Sequence, residues 1–296
     1  MPLAALTAVL LDRGLGEMRR WHPLVGFGRL ALLLESRLNR RSVPAGLLAW
    51  LLAVAPGVAL AAWLRPSAPF AVDVALLYFA LGAQSLCEHA TAIARPLQEG
   101  DLAAARQRVG WIVSRETAQL DATGITKAGV ESVLENGNDA IFGALFWFAL
   151  LGGPGALLYR LANTLDAMWG YRTERYNLFG RSAARLDDAL NWLPARLTAL
   201  SYALLGHTRT ALSCWRTQAP GWDSPNAGPV MAAGAGSLGL ALGGAAIYHG
   251  QEEIRPPLGT GAPPAAGDLE RAIRLVRNSL WLWLAALFTL TGALHA

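Results

Sequence analysis

Long apolar runs alternate with charged segments along this chain of 296 residues. Runs of about 20 residues with at most one charge are typical of helices that cross a membrane. Their recurrence predicts an all-α fold: a polytopic integral membrane helical protein with four to five membrane segments, in a single domain over residues 1–296. The apolar runs are residues 45–64, 70–87, 140–159, 230–248 and 280–294.

The segments between these runs have a different pattern. Residues 88–139 and 182–200 repeat apolar positions at the spacing of one helix face, with an expected interruption at Pro194. Residues 250–267 are rich in proline and glycine, which favours a loop. Residues 1–11 lack the basic start and the cleavage site of a signal peptide, and we expect them to form a short helix that stays.

Basic residues predict the orientation in the membrane. Seven arginines lie in residues 12–44, whereas Arg65 is the one arginine between the first two apolar runs. Loops rich in arginine stay on the cytoplasmic side. Residues 45–87 are therefore expected to form a hairpin through the membrane, which leaves residues 88–139 in the cytoplasm.

The third run, residues 140–159, is harder to place. Residues 160–196 hold six further arginines and also favour the cytoplasm, so the run lies between two cytoplasmic segments. Residues 152–155 (Gly-Gly-Pro-Gly) would break a regular helix. Either the run re-enters the membrane and returns, or it is a true span of tilted or broken helices. The arginine distribution favours re-entry.

Two polar clusters flank this run. Before it, Glu131, Glu135 and Asp139 are spaced i, i+4 and i+8, so that one helix face can direct three carboxylates at one cation. Oxygen ligands of this kind suit Mg²⁺. The alternative is a solvated acidic face at the end of a helix. No lysine or arginine lies between Val130 and Leu158, which favours a metal or cation site.

The second cluster lies beyond the run. Asn163 and Asp166 are spaced i, i+3, and Tyr171 and Arg172 follow. A helix cap by Asn163 would explain the pair. Its position just after the apolar run makes it a candidate partner of the first cluster.

Other residues are candidate phosphate contacts. Arg181, Arg185 and Asp188 form a helical stripe, which fits either phosphate recognition or an internal ion-pair network. Arg115 is either a phosphate contact or part of a surface ion pair. His22 precedes a proline and is either a catalytic or a structural histidine.

Composition argues against several classes of protein. The net charge of +4 comes almost wholly from arginines interleaved with acids, so no basic stripe indicates nucleic-acid binding. Cys87 and Cys214 lie far apart in apolar surroundings, which predicts neither a disulfide framework nor a zinc site. The sequence has no glycine-rich nucleotide loop and no serine-hydrolase motif.

Motifs spread over nearly the whole chain occur in a specific order. They are Trp21-His22-Pro23, Val113-Ser114-Arg115-Glu116-Thr117, Glu131 to Asn136 with Asp139, Tyr159 to Asp166, Gly170-Tyr171-Arg172, Ala184 to Asp188 with Asn191, Pro194 to Leu197, and Ser224-Pro225-Asn226-Ala227-Gly228. In this order they resemble the cobalamin-biosynthesis family CobD/CbiB, adenosylcobinamide-phosphate synthase. Each motif is weak alone, and together they are highly specific.

The resemblance implies a multi-pass enzyme of the bacterial inner membrane, with an active site that faces the cytoplasm. It implies amide-bond formation between adenosylcobyric acid and aminopropanol phosphate, or ethanolamine phosphate in some relatives, with Mg²⁺ and with ATP as co-substrate. The implied partners are these substrates and the lipid bilayer, without nucleic acid. A homo-oligomer and a complex with other corrinoid enzymes both stay open.

Residue roles are assigned from the chemistry that this reaction needs. A carboxylate is activated as an acyl phosphate before an amine attacks it, which requires a metal, cations for the phosphates and a base. We expect the base to be Asp187 or Asp188, with His22 as a further catalytic candidate. The expected metal ligands are Glu131, Glu135, Asp139 and Asp166. The expected substrate and phosphate contacts are Arg115, Asn163, Tyr171, Arg172, Arg185, Arg196 and Asn226.

Two other classes of protein stay open at this point. A membrane prenyl- or alcohol-phosphotransferase also pairs acidic motifs with Mg²⁺ between apolar helices, but this chain lacks a clean pair of aspartate-rich motifs. A cation-coupled transporter would use intramembrane carboxylates as ion sites. It predicts two related halves, and the sequence has no internal repeat.

Overall fold

The computed structural model describes residues 1–18, 22–248 and 250–294, so Trp21 of the first motif lies outside the described residues. The described chain is mostly helical, with a two-stranded sheet. Its helices are α1 (Pro2–Leu15), α2 (Pro23–Leu38), α3 (Val43–Leu64), α4 (Pro69–Ala80), α5 (Ala83–Gln98), α6 (Leu102–Val109), α7 (Ala122–Gly137), α8 (Gly143–Leu151), α9 (Gly153–Trp169), α10 (Arg181–Leu204), α11 (Thr208–Gln218), α12 (Ala227–Leu238) and α13 (Asp268–Leu294). The strands are β1 (Leu242–Tyr248) and β2 (Gln251–Leu258).

Three helical segments of the described chain are long and apolar enough to cross a membrane: Val43–Ser67, Pro69–Gln98 and Asp268–Ala293. They contain the predicted runs 45–64 and 70–87 and most of the last predicted run. Leucines stay exposed on the surface of α3, which suits contact with lipid hydrocarbon. The predicted total of four to five membrane segments stays a prediction.

The fourth apolar run, residues 230–248, does not form one continuous helix, so the prediction of a membrane-spanning helix there is wrong. The run divides into α12 and β1, because Gly239 adopts the left-handed conformation (φ 67°) that ends a helix. β1 then pairs antiparallel with β2. Residues 251–258 were predicted as part of a loop and instead form this strand, since pairing with β1 overrides the local proline content.

The helices between the apolar runs largely follow the sequence prediction. Residues 88–139 contain most of α5 and all of α6 and α7, separated by short loops, and residues 2–11 lie within α1. The predicted interruption at Pro194 is wrong, because α10 runs through this residue. An interior proline removes one backbone hydrogen bond, and the other turns of a helix of 24 residues keep theirs.

The packing of the described residues divides into two compact units. Unit 1 contains residues 1–83, 139–191 and 286–296, and unit 2 contains residues 84–138 and 192–285. The assignment of residues 1–296 to a single domain stays a prediction.

An aromatic core holds α3 and α9 together in unit 1. Trp50 of α3 and Trp169 of α9 are buried in it with Phe179, whose ring lies 5.1 Å from that of Trp169. Gly46 allows close approach, since an added Cβ there would lie 1.9 Å from the Phe179 carbonyl oxygen. This packing fixes α9 and the loop that follows it.

Hydrogen bonds and a glycine contact fix α7 in unit 2. The Tyr202 hydroxyl of α10 donates to the carbonyl oxygen of Leu134 at 3.1 Å, and Ser237 Oγ donates to the carbonyl oxygen of Tyr202 at 2.6 Å. Gly234 of α12 packs on Leu134, where an added Cβ would come within 2.6 Å of Leu134 Cδ2. The helix that carries Glu131 is therefore held on one side by α10 and α12.

Candidate functional site

Residues 143–169 fold into a helical hairpin in unit 1, with its turn at Gly152 (φ 70°). An added Cβ at Gly143 of α8 would lie 2.0 Å from the ring of Tyr159 of α9. An added Cβ at Gly155 of α9 would lie 2.2 Å from the Trp147 carbonyl oxygen of α8. Gly143 at the start of α8 faces the middle of α9, and Trp147 in the middle of α8 faces the start of α9, so the helices are antiparallel. They lie close because both positions are glycine.

This hairpin explains how two distant acidic motifs meet. Asp139 lies in a π-helical turn (Asn138–Phe142) just before α8, and Asp166 lies near the end of α9. In an antiparallel hairpin these positions lie at the same end, opposite the turn. Wide π-helical turns are frequent at functional sites. Whether the hairpin re-enters the membrane or spans it stays a prediction.

Four aspartates of unit 1 influence one another's charge, and we call them the aspartate cluster: Asp139, Asp166, Asp187 and Asp188. Burial, and then the charges of Asp139 and Asp188, raise the pKa of Asp166 to about 6. Burial, and then Asp139 and Asp166, raise the pKa of Asp187 well above its usual range. Carboxylates that raise one another's pKa hold negative charge that their surroundings do not fully neutralise.

Two amides orient the aspartate cluster. Asn191 Nδ2 of α10 donates a hydrogen bond to Asp139 Oδ1 at 2.7 Å. Asn163 Nδ2 of α9 lies 3.4 Å from Asp187 Oδ1. Asp187 and Asn191 are one helical turn apart on α10, so this helix presents both side chains on one face. The predicted residues Asn163, Asp166 and Asp187 are thus brought together.

Arg160 is a buried cation beside this cluster. Burial lowers its pKa, while Glu17, Tyr159 and Asp139 act to raise it. Its Nε is buried and has no hydrogen-bond partner among the described residues. A buried donor without a partner can bond to an oxygen of a ligand.

Three predicted contacts lie on the surface of unit 1. Tyr171 and Arg172 are exposed on the loop after α9, and Arg185 is exposed on α10. The pKa of Asp188 is raised by burial, and the charge of Arg185 opposes this rise. Arg185 therefore lies beside the aspartate cluster, one turn from Asp188 on the same helix.

The structure gives His22 contacts typical of a helix cap. Its Nδ1 accepts a hydrogen bond from the backbone N–H of Leu24 at 3.1 Å, at the start of α2. Its Nε2 lies 3.4 Å from Glu17 Oε1, and its ring stacks on Phe79 at 6.0 Å. The catalytic role of His22 stays a prediction.

The other two predicted metal ligands, Glu131 and Glu135, belong to unit 2. The Glu131 carboxylate is 2% exposed and accepts hydrogen bonds from Arg115, from Arg255 and from the backbone N–H of Gly243. Burial raises the pKa of Glu131, but the charges of the two arginines outweigh it and leave the pKa lowered. We call these three side chains the arginine–glutamate cluster. Both carboxylate oxygens of Glu131 therefore accept hydrogen bonds from protein groups. The role of Glu131 as a metal ligand stays a prediction.

Arg196 and Asn226 lie together in unit 2. Arg196 donates to Asn226 Oδ1 at 2.8 Å and to the Pro225 carbonyl oxygen at 3.0 Å. Arg196 also lines a cavity of about 440 Å³ with Trp215 and Trp222. These contacts connect two separately predicted motifs at one cavity.

The acidic residues of unit 1 suit a divalent cation by their chemistry. Among the described residues, no three histidine, cysteine, aspartate or glutamate side chains are already placed to hold a metal ion. Mg²⁺ needs only one or two carboxylates when phosphate oxygens and water complete its coordination. A cation would also relieve the repulsion that raises the pKa values of Asp166 and Asp187. The aspartate cluster therefore fits Mg²⁺ held together with a phosphate.

Sequence reasoning gave no role to three residues of these clusters. Asn191 and Arg160 stood within the quoted motifs, and the spacing of Asn191 one helical turn after Asp187 was a signal for its role. Arg255 bonds Glu131 across 124 residues, and no local pattern predicts such a contact.

Comparisons with known proteins identify the family. The sequence model of the family described as CobD/Cbib protein matches residues 5–276. The chain is 58% identical to the cobalamin biosynthesis protein CobD of Chromobacterium violaceum, over 98% of this chain and 97% of that protein. It is 57% identical to the protein of that name in Stutzerimonas stutzeri, over 96% of each chain. It is 42% identical to the protein of that name in Mycobacterium tuberculosis, over 93% of this chain and 91% of that protein.

No solved structure matches the chain. The family match and these relatives cover nearly its whole length. This protein therefore belongs to the CobD/CbiB family of cobalamin-biosynthesis proteins.

Proposed function

We propose that this protein is an adenosylcobinamide-phosphate synthase. It would join adenosylcobyric acid to aminopropanol phosphate, or to ethanolamine phosphate, through an amide bond made with ATP. Membership in a cobalamin-biosynthesis family supports the pathway. The observation that carries the chemistry is the aspartate cluster, whose raised pKa values favour both a cation and a proton acceptor.

The reaction needs an activated carboxyl group. A carboxylate oxygen of adenosylcobyric acid attacks the terminal phosphorus of ATP, and ADP leaves. The amine nitrogen then attacks the carbonyl carbon of the acyl phosphate, inorganic phosphate leaves, and the nitrogen loses a proton. Asp139 and Asp166 would hold Mg²⁺, which would supply positive charge to the phosphate oxygens.

Asp187 is our candidate for the proton acceptor. Burial and two neighbouring carboxylates raise its pKa well above the usual value for aspartate. A base is most effective when its pKa lies near the working pH, and an ordinary aspartate is too acidic for that. Asn163 lies 3.4 Å from Asp187 and would keep its carboxylate oriented towards the amine. Asp188 is the alternative base one residue away.

Arginines of unit 1 would bind the phosphate groups. Arg160 has a buried Nε without a partner among the described residues, and Arg185 lies beside Asp188. Guanidinium groups match the oxygens of a phosphate in geometry and charge. Arg172 would add a contact from the exposed loop after α9. ATP is cytoplasmic, so the proposal places the site on the cytoplasmic side of the bacterial inner membrane.

Product formation tests this proposal. Membranes that carry the chain should convert adenosylcobyric acid and aminopropanol phosphate into adenosylcobinamide phosphate, with ADP and phosphate released in equal amounts. Omission of ATP or chelation of Mg²⁺ should stop the reaction. Turnover of a prenyl diphosphate in place of this reaction would instead support the phosphotransferase alternative.

A further inference from the structure

Arg255 and Glu131 form a closed ion pair in unit 2. Arg255 Nη1 donates to Glu131 Oε2 at 2.8 Å, and Arg255 Nη2 donates to Glu131 Oε1 at 3.3 Å. Arg255 Nε donates to the carbonyl oxygen of Gly244 at 3.2 Å. The two charges thus neutralise each other, and both side chains are nearly buried, with Arg255 11% and Glu131 2% exposed.

Two further cations lie at this pair and are not neutralised by it. Arg115 donates to Glu131, so one carboxylate serves two guanidinium groups. Lys127 lies four residues before Glu131 on α7, and its Nζ lies 3.5 Å from the carbonyl oxygen of Gly243. Gly243 in turn donates its N–H to Glu131. Arg115 and Arg255 therefore share one carboxylate, and Lys127 lies beside the residue whose backbone N–H also bonds it, so these four side chains carry an excess of two positive charges.

The two extra cations have donors to spare. Among the described residues, Arg115 donates a hydrogen bond to Glu131 alone, although its side chain is only 10% exposed. Lys127 has only the long contact to Gly243 there and is half-buried. A guanidinium has five N–H donors and an ammonium has three. Most of these donors have no acceptor among the described residues. Because both side chains are partly buried, water can accept hydrogen bonds from only some of them.

The backbone next to Lys127 leaves room for a ligand. β1 is irregular between Gly243 and Gly244, which have φ values of 72° and 83°. A side chain at Gly244 would meet no atom within 4 Å. Gly244 therefore leaves open space at this irregularity, one residue from the Gly243 carbonyl that Lys127 contacts, whereas Gly243 itself packs closely on the Pro256 carbonyl oxygen.

We propose that Lys127 and Arg115 form a binding site for a phosphate group, positioned by the Glu131–Arg255 pair. A phosphate dianion would balance the two excess charges and accept the unused donors. Glu131 then acts as a positioning residue for Arg115 rather than as a metal ligand. The phosphate would belong to a substrate of the ligation proposed above, so this part of the inference rests on that function. Two sources share this chemistry: the phosphate ester of the amino alcohol, and ATP.

Binding of inorganic phosphate to the detergent-purified full chain tests the site without any reaction. At low salt, Lys127→Gln and Arg115→Gln should each weaken phosphate binding on the order of tenfold, because each removes a charge-assisted hydrogen bond. Lys127→Arg should restore most of the affinity. Calorimetric titration would measure each dissociation constant, and circular dichroism would verify that each variant is folded.

The matched control is Arg209→Gln, which removes one positive charge from an exposed arginine of the same unit. It should bind phosphate as tightly as the wild type. Equal affinity of the wild type, Lys127→Gln and Lys127→Arg would overturn the proposal, and so would an equal loss in the control.

Steady-state kinetics would then identify the source of the phosphate. If the site holds the amino-alcohol ester, Lys127→Gln should raise the KM for aminopropanol phosphate and leave the KM for ATP unchanged. The opposite pattern would assign the site to ATP, and no change in either KM would overturn a role in the reaction. If phosphate binding depends on Lys127 but no amide product forms, the site stands and the proposed ligation fails.

Discussion

At Asp166, burial and the neighbouring negative charges both disfavour the ionised carboxylate. Burial, then Asp139 and Asp188, raise its pKa from 3.8 to about 6. The folded protein therefore holds this proton more tightly than the unfolded chain does. The stabilisation from that proton is complete below about pH 4 and is lost as the pH rises through 6. A difference of this size corresponds to roughly 3 kcal/mol, which a bound cation can offset at neutral pH.

Asp166→Asn should show how much the ionised Asp166 carboxylate lowers stability and how much a bound cation restores. Without divalent cations at pH 7.5, the variant should melt at a higher temperature than the wild type, because the amide carries no charge to bury. Below about pH 4 the wild-type carboxyl is protonated in both the folded and the unfolded chain, so the two should melt alike there. Mg²⁺ should raise the melting temperature of the wild type at pH 7.5 and have much less effect on the variant.

Thermal unfolding in detergent, followed by intrinsic tryptophan fluorescence, would measure this. Glu174→Gln is a suitable control, because Glu174 is an exposed carboxylate of the same unit with a side chain 84% exposed. A full response to Mg²⁺ in Asp166→Asn would remove Asp166 from the metal site.

The helical hairpin is the element on which the candidate site depends. Its turn needs Gly152 in a left-handed conformation, and its close packing needs glycine at positions 143 and 155. Together they place the start of α8 against the middle of α9, so that Asp139, before α8, and Asp166, late in α9, lie at the same end of the hairpin and influence each other's charge. A change in the packing of this hairpin should therefore act on the site from a distance.

Gly143→Ala should disturb the hairpin without altering any charge. An added Cβ would lie 2.0 Å from the Tyr159 ring, so one helix must shift. Overpacking of this kind costs about 1–3 kcal/mol, and we expect a lower melting temperature together with reduced amide formation. Gly14→Ala in α1 is the control, since its Cβ would meet nothing within 4 Å. Wild-type stability and activity in Gly143→Ala would show that this packing does not position the site.

Local pattern predicts these elements better than it predicts their contacts. Apolar runs locate α3 and α13, and the Gly-Gly-Pro-Gly sequence locates the break after α8. The pairing of β1 with β2 was missed, because a strand rich in proline and glycine is stabilised by its partner and not by its own composition. The partners of Glu131 were missed for a similar reason, since Arg255 lies 124 residues away.

The proximity of several site candidates could be predicted in part, and their roles stay predictions. Spacing made Asp139 and Asp166 candidates and the chemistry of the implied reaction made Asp187 one, and in unit 1 the three influence one another's charge. The predicted common face of Glu131, Glu135 and Asp139 assumed a regular helix. The helix changes to a π-helical turn at Asn138, which alters the spacing before Asp139, and a local widening of this kind has no reliable signal in the sequence.

At the scale of the whole molecule, orientation in the membrane is the main expectation to test. The candidate spans Val43–Ser67 and Pro69–Gln98 are joined by a link with one arginine, whereas residues 12–44 hold seven. Basic segments stay on the cytoplasmic side. The link should therefore face outwards, and the loop before α7 should face the cytoplasm with the substrates of the proposed ligation.

Cysteine labelling can measure this orientation. In a chain whose Cys87 and Cys214 are replaced by serine, Ser67→Cys should react with a membrane-impermeant maleimide in spheroplasts. Gln119→Cys should react only in inverted membrane vesicles. Both positions are exposed, so access to the reagent and not burial decides the result. The reverse pattern would contradict a cytoplasmic site.

The central claim is that the aspartate cluster carries out an ATP-dependent amide ligation. Its most direct test is the rate of adenosylcobinamide phosphate formation by the purified wild type, Asp187→Asn and Glu174→Gln, each shown to be folded. We predict product from the wild type and from Glu174→Gln at similar rates, and a loss of at least a hundredfold in Asp187→Asn, because general-base catalysis contributes about 10²–10⁴-fold. Product formation by Asp187→Asn and Asp188→Asn at the wild-type rate, or no product from the wild type with ATP and Mg²⁺ present, would contradict the claim.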